Sequence, residues 1–254
     1  MGRKLLEISY LGTNYCGWQV QPNGISVQST LQDALEKILK HRPNVTGCSR
    51  TDSGVHATSF FCHFDTEVNI SNEGLALGLN TFLPSDISAK KCIDVADNFH
   101  ARYNSLGKTY KYKFIISKIK DPFLAGRVVF LKQPINISLA NEYCKLLVGK
   151  HDFAAFSSIH RTVKDTVRTV TECFVKQESN SIEFSVTADG FLYNMVRIMV
   201  GGLLDFSRGK INTEDITSAF ENGNRAILGA TAPPEALYLS KVHYPKEIED
   251  ILNN

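Results

Sequence analysis

The feature that most constrains the fold of this chain is one order of strands and helices that occurs twice along it. In the first half, polar and apolar residues alternate from Lys4 to Tyr10, as in a strand with one buried face. Ser26 precedes apolar residues at helical spacing, which predicts a capped helix over Val27–Lys40. The other predicted elements are strands over Asn44–Thr46, Thr58–Phe64 and Ile87–Val95, and a helix from Ser71 to Thr81. This β-α-β-β-α-β order is that of a ferredoxin-like unit.

The second half repeats this order with insertions. Its predicted elements are a strand over Thr109–Ile116, a helix over Ser138–Val148 with Ser138 as cap, a hairpin of Thr162–Lys176 with Ser181–Thr187, a helix over Phe191–Phe206, a helix beginning at Thr213 and a strand over Ala236–His243. Two mainly antiparallel sheets with helices on one side give an α+β fold. The boundary is expected near Ser105-Leu106-Gly107, so that the two α/β halves are residues 1–106 and residues 107–254.

Composition indicates a globular chain without disulfides. Of its 254 residues, 43% are apolar and 21% are charged, which is enough apolar material for a core. The six cysteines are scattered and include no C-x-x-C pair, which argues against zinc and against a disulfide framework. Arg3, Lys4 and Glu7 interrupt any signal-peptide apolar region, and the run Phe191–Leu204 contains Asn194 and Arg197. We therefore expect a cytoplasmic protein with no membrane span.

Charge is distributed unevenly although the net charge is only +2. Residues 108–168 contain 12 basic and 4 acidic residues. Lysines at 108, 111 and 113 alternate there with Tyr110, Tyr112 and Phe114, as in a surface that binds a polyanion. A solvated strand face has the same pattern, and the residues alone do not separate the two interpretations.

Two stretches rich in turn formers or short polar residues are predicted to be loops. They span Lys118–Pro134 and Ser157–Lys164, and they carry Arg127, Arg161 and Lys164. Such loops are either arms over a ligand or exposed connections.

The segment from Gly47 to Ala57 is the strongest candidate for chemistry. Asp52 lies two residues after Arg50 and two before Gly54, in a polar, turn-prone stretch that opens onto the Thr58–Phe64 strand. A loop held at a strand end can fix a reactive side chain, and a nearby cation favours an ionised carboxylate. Asp52 as a simple turn cap is the alternative. Thr51, Ser53 and His56 are expected to hold the loop in place, and Trp18 is expected in the core.

Six segments, in one order along the chain, resemble the motifs of the tRNA pseudouridine synthase A family. They are Tyr10-x-Gly12-x-x-Tyr15-x-Gly17-Trp18-Gln19-x-Gln21, Arg50-Thr51-Asp52-x-Gly54-Val55-His56-Ala57, Phe99-His100-Ala101-Arg102 with Lys108-x-Tyr110-x-Tyr112, Gly149-x-His151-Asp152-Phe153-x-x-Phe156, Met195-Val196-Arg197-x-Met199-Val200-Gly201 and Leu237-Tyr238-Leu239. The resemblance covers nearly the whole chain. It implies the pseudouridine synthase fold, in which the halves share one extended, mostly antiparallel sheet with the active cleft between them.

The resemblance also implies a function and partners. The expected activity is isomerisation of uridine to pseudouridine on the 3′ side of the tRNA anticodon stem-loop, at positions 38, 39 and 40. Family members are homodimers whose tRNA spans both subunits. The reaction gains no atoms and changes no oxidation state, so we expect neither a cofactor nor a metal.

Four residues take roles from the family motifs. Asp52 is the expected catalytic carboxylate, and Arg197 is expected to pair with it from the other half. An arginine in so apolar a helix is costly to bury without a partner, although it could also extend its stem to the surface. Arg50 is expected to help extrude the target nucleotide or to contact phosphate. Tyr110 is expected to pack against the uracil, with core packing as the alternative for Tyr110 and Tyr112.

Two other functions remain possible from the residues. The same element order occurs in RRM domains, so a catalytically silent RNA-binding protein is one alternative, although no RRM aromatic motif is present. A glycoside or nucleoside hydrolase is the other, but such enzymes usually use paired carboxylates, and this loop offers one.

Overall fold

The computed structural model describes residues 2–158 and 165–253, and within them it contains ten strands and six α-helices. The chain divides into two compact units, one formed by residues up to Leu106 together with residues from Tyr238 onward, the other by Gly107–Leu237. Both units mix helices with mostly antiparallel strands, which confirms the predicted α+β class.

The sheet of the first unit has the strand order β4-β1-β3-β10, with β2 on β3. The strands are β1 (Gly2–Tyr10), β2 (Thr46–Gly47), β3 (His56–Thr66), β4 (Ile87–Val95) and β10 (Leu237–His243). Strand β1 is antiparallel to both of its neighbours, since Leu6 lies opposite Cys62 of β3 and Cys92 of β4. Every predicted strand of this half is present, although β2 begins two residues later than expected.

Two helices follow the predicted positions in the first unit, and a third was not predicted. They are α1 (Val27–Leu39), α2 (Asn72–Phe82) and α6 (Lys246–Asn253). Ser26 caps α1, since its hydroxyl accepts a hydrogen bond from the Ser29 N–H at 3.1 Å. Ser71 caps α2 in the same way through the Gly74 N–H. Helices α1 and α2 contact each other, and α2 packs on β4.

The last strand groups with the first unit, whereas the sequence placed residues up to 254 with the second half. Strand β10 is parallel to β3, with Tyr238 opposite His56. The Leu106 N–H donates to the His243 carbonyl at 2.8 Å, and the Tyr244 hydroxyl donates to the Ala101 carbonyl at 2.6 Å. These partners are more than a hundred residues away in sequence, so local patterns could not show the pairing.

The second unit contains strands β5 (Gly107–Ile116), β6 (Val129–Leu131), β7 (Gly149–Asp152), β8 (Val167–Glu178) and β9 (Ser181–Ala188). Strand β9 lies between β5 and β8 and is antiparallel to both. The helices are α3 (Ile137–Leu147), α4 (Met195–Phe206) and α5 (Thr213–Asn222), and α3 packs on β8 and α4.

Several predicted boundaries in this unit were wrong. Helix α3 begins one residue earlier than expected, because Asn136 rather than Ser138 accepts the capping hydrogen bond, from the Leu139 N–H. Residues 191–194 are not helical, because Asn194 adopts a left-handed backbone conformation with φ of 61°. Strands β6 and β7 were not predicted. The predicted start of the hairpin at Thr162, with Arg161 and Lys164, lies outside the described residues.

Among the described residues, no helix combines the length and the apolar character needed to cross a membrane.

Replacing Tyr244 by Phe tests the tie between the C-terminal segment and the first unit. Tyr244 is 2% exposed and Ala101 is fully buried, so the variant leaves a buried carbonyl without its donor. We expect a loss of about 1–3 kcal/mol in the free energy of unfolding, measured by urea denaturation. The control is Tyr103→Phe, since Tyr103 is 77% exposed and should change stability by less than about 0.5 kcal/mol. Equal stability of the two variants would contradict the tie.

Candidate active site

The Asp52 loop connects β2 to β3 in the first unit. Asp52 is half-buried, Thr51 before it is buried, and Arg50 is exposed. The loop turns at Gly54, whose φ of 79° is readily adopted by glycine, and the Val55 N–H donates to the Asp52 carbonyl at 3.2 Å. The loop therefore holds the Asp52 backbone in a tight turn directly before a central strand.

Residues 10–18, which comprise the last residue of β1 and the segment after it, contact this loop and are called the brace here. The contacts are the hydroxyl pair Tyr10–Thr51 at 2.9 Å, Gly12 N–H to His56 Nδ1 at 2.9 Å, Ser53 Oγ to the Tyr15 carbonyl at 3.2 Å, Gly54 N–H to the Tyr15 carbonyl at 3.3 Å and Trp18 N–H to the Thr51 carbonyl at 3.1 Å. The expectation that Thr51 and Ser53 hold the loop is confirmed by these contacts. The backbone on both sides of Asp52 is fixed by hydrogen bonds.

Two glycines allow the brace to approach the loop so closely. A Cβ on Gly12 would lie 2.0 Å from the Val55 carbonyl oxygen, and one on Gly17 would lie 2.4 Å from the Thr51 carbonyl oxygen. Gly17 also has φ of 101°, which other residues rarely adopt. Both glycines belong to the first sequence motif, so backbone contact with the Asp52 loop explains why the motif has glycine at these two positions.

His56 and Trp18 have the structural roles that the sequence predicted. His56 is fully buried, and because its Nδ1 accepts a hydrogen bond from Gly12, the proton of the neutral ring is on Nε2. Trp18 is 3% exposed and packs its ring 4.2 Å from that of Phe60. The hydrogen bond of His56 and the packing of Trp18 explain their positions without a role as general base for His56 or as a stacking surface for a nucleobase for Trp18.

Tyr15 adds an anchor that the sequence analysis missed. Its hydroxyl donates to Asp86 Oδ1 at 2.6 Å, and burial together with this bond raises the pKa of the phenol. Since the Tyr15 carbonyl accepts two bonds from the Asp52 loop, Asp86 fixes the loop indirectly. The tyrosine stands in a recognised motif, but nothing in the sequence pairs it with Asp86.

In the second unit, β5 carries the two tyrosines that sequence could not separate. Tyr112 is fully buried, and its hydroxyl donates to the Pro233 carbonyl at 2.8 Å. Burial raises its pKa, with a further contribution from the charge of Glu235. Tyr110 is 6% exposed and meets Phe191 edge-on at 5.0 Å between ring centres. Both tyrosines are thus buried, Tyr112 is a core residue, and the role of Tyr110 against the uracil stays a prediction.

Arg197 lies in the first turn of α4 and is half-buried. Its Nε donates to the Ala232 carbonyl at 2.7 Å, and its Nη1 donates to Asn194 Oδ1 at 2.8 Å. The Ala232 N–H returns a bond to the Arg197 carbonyl at 3.0 Å. The stem therefore does not simply extend to solvent, because two acceptors fix the plane of the guanidinium.

The glycine one turn after Arg197 makes room for the chain that supplies one of these acceptors. A Cβ on Gly201 would lie 1.9 Å from the Ala230 carbonyl oxygen, so glycine allows the close approach of this backbone. Arg225 holds the same turn, since its guanidinium donates to the Gly229 carbonyl at 2.7 Å and to Thr231 Oγ1 at 3.1 Å. The sequence analysis missed this role of Arg225.

The alternating lysines of β5 are less available than their pattern indicated. Lys108 is 8% exposed, and Lys111 forms an ion pair with Glu183 at 2.7 Å. A basic surface in this unit would therefore depend mainly on exposed cations elsewhere: Lys118, Lys120, Arg127, Lys132, Lys145 and Lys150.

The four predicted site residues are divided between the units. Asp52 and Arg50 belong to the first unit, and Tyr110 and Arg197 belong to the second. Within the second unit, the Ala232 carbonyl accepts a hydrogen bond from Arg197, and the carbonyl of its neighbour Pro233 accepts one from Tyr112. Two adjacent residues therefore bind both side chains.

Comparison with known proteins gives one consistent family. The sequence profile described as tRNA pseudouridine synthase matches residues 8–104 and 143–245. A protein of Clostridium perfringens named tRNA pseudouridine synthase A 2 is 43% identical over 240 residues, covering 94% of this chain and 98% of the relative. A protein of Staphylococcus aureus named tRNA pseudouridine synthase A is 37% identical, covering 95% of this chain and 91% of the relative. A protein of the same name from a Thermoanaerobacter species is 38% identical, covering 96% of this chain and 100% of the relative.

The matched residues include the Asp52 loop, its brace and Arg197, whereas Tyr110 of β5 lies between the two matched ranges. The expected family is confirmed: this chain belongs to the tRNA pseudouridine synthases, isomerases that convert uridine to pseudouridine.

Proposed function

We propose that this chain isomerises uridine to pseudouridine at positions 38, 39 and 40, on the 3′ side of the tRNA anticodon stem-loop. One observation carries the proposal. The single carboxylate of the family motif, Asp52, lies on a loop whose flanking backbone is hydrogen-bonded on both sides to residues 10–18. A rigid, half-buried carboxylate is what a reaction at one sugar carbon requires.

The reaction breaks the C1′–N1 bond, rotates the uracil and rejoins it to C1′ through C5; C5 then loses its proton and N1 gains one, so that no atoms are gained or lost. Asp52 can attack C1′ as a nucleophile, or it can act as a base that removes the neighbouring sugar proton and gives a glycal. Both routes need the ionised carboxylate. We propose Asp52 as the catalytic residue in either case.

Three other side chains are proposed to support this step. The positive charge of Arg197 would favour the ionised carboxylate, and the fixed orientation of its guanidinium supports that role. Tyr110 would pack its ring against the uracil, at a gain of about 1–3 kcal/mol by stacking. Exposed Arg50 would fill the place of the extruded nucleotide or contact a phosphate.

Partners follow from the same proposal. The enzyme would act as a cytoplasmic homodimer on tRNA, with the exposed cations between Lys118 and Lys150 as candidate phosphate contacts. No cofactor is proposed, because the isomerisation is balanced in atoms and electrons.

The function is tested with tRNA labelled with tritium at uridine C5, since pseudouridine formation releases that tritium to water. We expect release by the wild type and a loss of at least about a hundredfold in Asp52→Asn. The control Asp97→Asn changes an exposed carboxylate of the same unit and should keep the wild-type rate. Sequencing of the product should place pseudouridine at positions 38–40.

Other outcomes would favour the alternatives. If tRNA binds but neither wild type nor variant releases tritium, the RNA-binding function without catalysis is supported instead. If free uracil accumulates, the chain is a hydrolase.

Arg197→Met tests the supporting cation, because methionine keeps the apolar stem and removes the charge. We expect the single-turnover rate of isomerisation to fall by about 10²–10³-fold. Arg208→Met, which removes an exposed charge just after α4, should leave the rate unchanged. Full turnover by Arg197→Met would exclude a catalytic role for this residue.

Gly12→Ala tests whether the brace positions the Asp52 loop. The new methyl group would collide with the Val55 carbonyl, so the brace and the loop must separate. A shift of about 1 Å at the carboxylate would reduce the single-turnover rate by roughly a hundredfold. Gly2→Ala is the matched control, because a Cβ there meets nothing within 4 Å. Equal rates in the two variants would contradict the positioning role of the brace.

A further inference from the structure

Asn194 begins α4 in an unusual way. The residue before the first helical turn usually has an extended backbone, as Ser26, Ser71 and Asn136 do here. Asn194 instead has φ of 61° and ψ of 5°, in the left-handed region. Asparagine tolerates that conformation better than most residues. A left-handed backbone at a helix start changes the direction of the side chain, and it therefore requires an explanation.

The side chain of Asn194 is directed to Arg197. At α1, α2, α3 and α5 the side chain at this position accepts a backbone N–H three residues later, at 2.9–3.1 Å. At α4 the Asn194 Oδ1 accepts from the Arg197 guanidinium at 2.8 Å, also three residues later. At the other helices the side-chain oxygen accepts from a backbone N–H, whereas at α4 it accepts from a charged side chain.

A second contact holds the other end of the amide in place. Asn194 Nδ2 donates to Ser158 Oγ at 2.7 Å, and the Ser158 N–H donates to the Tyr193 carbonyl at 3.3 Å. With its nitrogen bound to Ser158, the amide presents its oxygen to Arg197. A flipped amide would place NH₂ against the guanidinium and lose the bond to Arg197, because both groups are then donors, whereas the Ser158 hydroxyl could donate to the amide oxygen instead.

The opposite side of the guanidinium is held by backbone. Ala232 accepts from Nε, and the turn before it is fixed by Arg225 and by the close approach at Gly201. A planar guanidinium bound at Nε and at Nη1 has little freedom to rotate, so its remaining donors point in one direction.

We propose that Asn194 is a positioning residue for the isomerisation: it sets the orientation of Arg197 through Oδ1, and its own side chain is held in place by Ser158. This inference rests on the proposed catalytic role of Arg197. In this proposal the left-handed backbone at the start of α4 serves to orient the Arg197 guanidinium, in addition to starting the helix.

Glycine at position 194 separates the backbone from the side chain. Asn194→Gly keeps the left-handed conformation at no steric cost and removes the amide, that is, the acceptor for Arg197 and the donor to Ser158. We expect its single-turnover rate on tRNA to fall about tenfold, with the Kd for tRNA within about twofold of wild type and a Tm above that of Asn194→Ala. Asn194→Ala should show the same rate loss together with a lower Tm, because alanine disfavours the backbone conformation.

Two further variants test the acceptor itself. Asn194→Asp retains an oxygen for Arg197 and can accept from the Ser158 hydroxyl, so it should restore the rate to within about threefold of wild type. Ser158→Ala releases the amide and should slow the step about threefold, with no change in Kd; it decides the question if Asn194→Gly does not fold. The control is Ser179→Gly, which replaces another residue of positive φ (54°) in an exposed turn of the same unit.

The results distinguish this inference from the proposed function when Arg197→Met is assayed in parallel. A slow Arg197→Met with wild-type rates in Asn194→Gly and Ser158→Ala overturns the positioning role alone. A wild-type rate in Arg197→Met overturns the catalytic role of Arg197 and the positioning role with it. Slow Arg197→Met and Asn194→Gly, with rescue by Asn194→Asp, support both.

Discussion

Backbone contact around Asp52 is the constraint on which the candidate chemistry depends. The residues after β1 pass so close to the Asp52 loop that Gly12 and Gly17 cannot carry a Cβ without a shift of the neighbouring carbonyls. The hydrogen bonds of this contact use main-chain groups of both segments and the buried ring of His56. A loop held in this way keeps the Asp52 carboxylate in place, which suits the proposed reaction with one ionised acid at one carbon.

Arg197 illustrates the same principle with a charged side chain. A half-buried guanidinium needs acceptors to offset its loss of hydration. Here the Ala232 carbonyl accepts from Nε and the Asn194 amide oxygen accepts from Nη1, and together they fix the plane of the guanidinium. A fixed plane is useful where the direction of the charge matters to its proposed role.

Strong local signals predicted the elements correctly. Ser26 and the spacing of apolar residues placed α1 to within one residue, and the strand predicted over Ile87–Val95 has those bounds as β4. The predicted starts of helices were wrong where a local signal allowed more than one starting residue. Ser138 and Asn136 are both capping residues, and the structure uses Asn136. The apolar run from Phe191 matched a helix, but the helix starts only after Asn194 because that residue's backbone is left-handed.

The sequence by itself determined the family, the α+β class, the Asp52 loop with its glycines, and the structural roles of Thr51, His56 and Trp18, because these depend on residues close together in the chain or on whole motifs. Only the tertiary structure decided that β10 pairs with β3, that Tyr112 is a core residue, and that Arg197 is held by Ala232 and Asn194. Most of these contacts join residues separated by tens to hundreds of positions, and such partners are selected by packing and by the need of buried polar groups for hydrogen bonds, which no local pattern records.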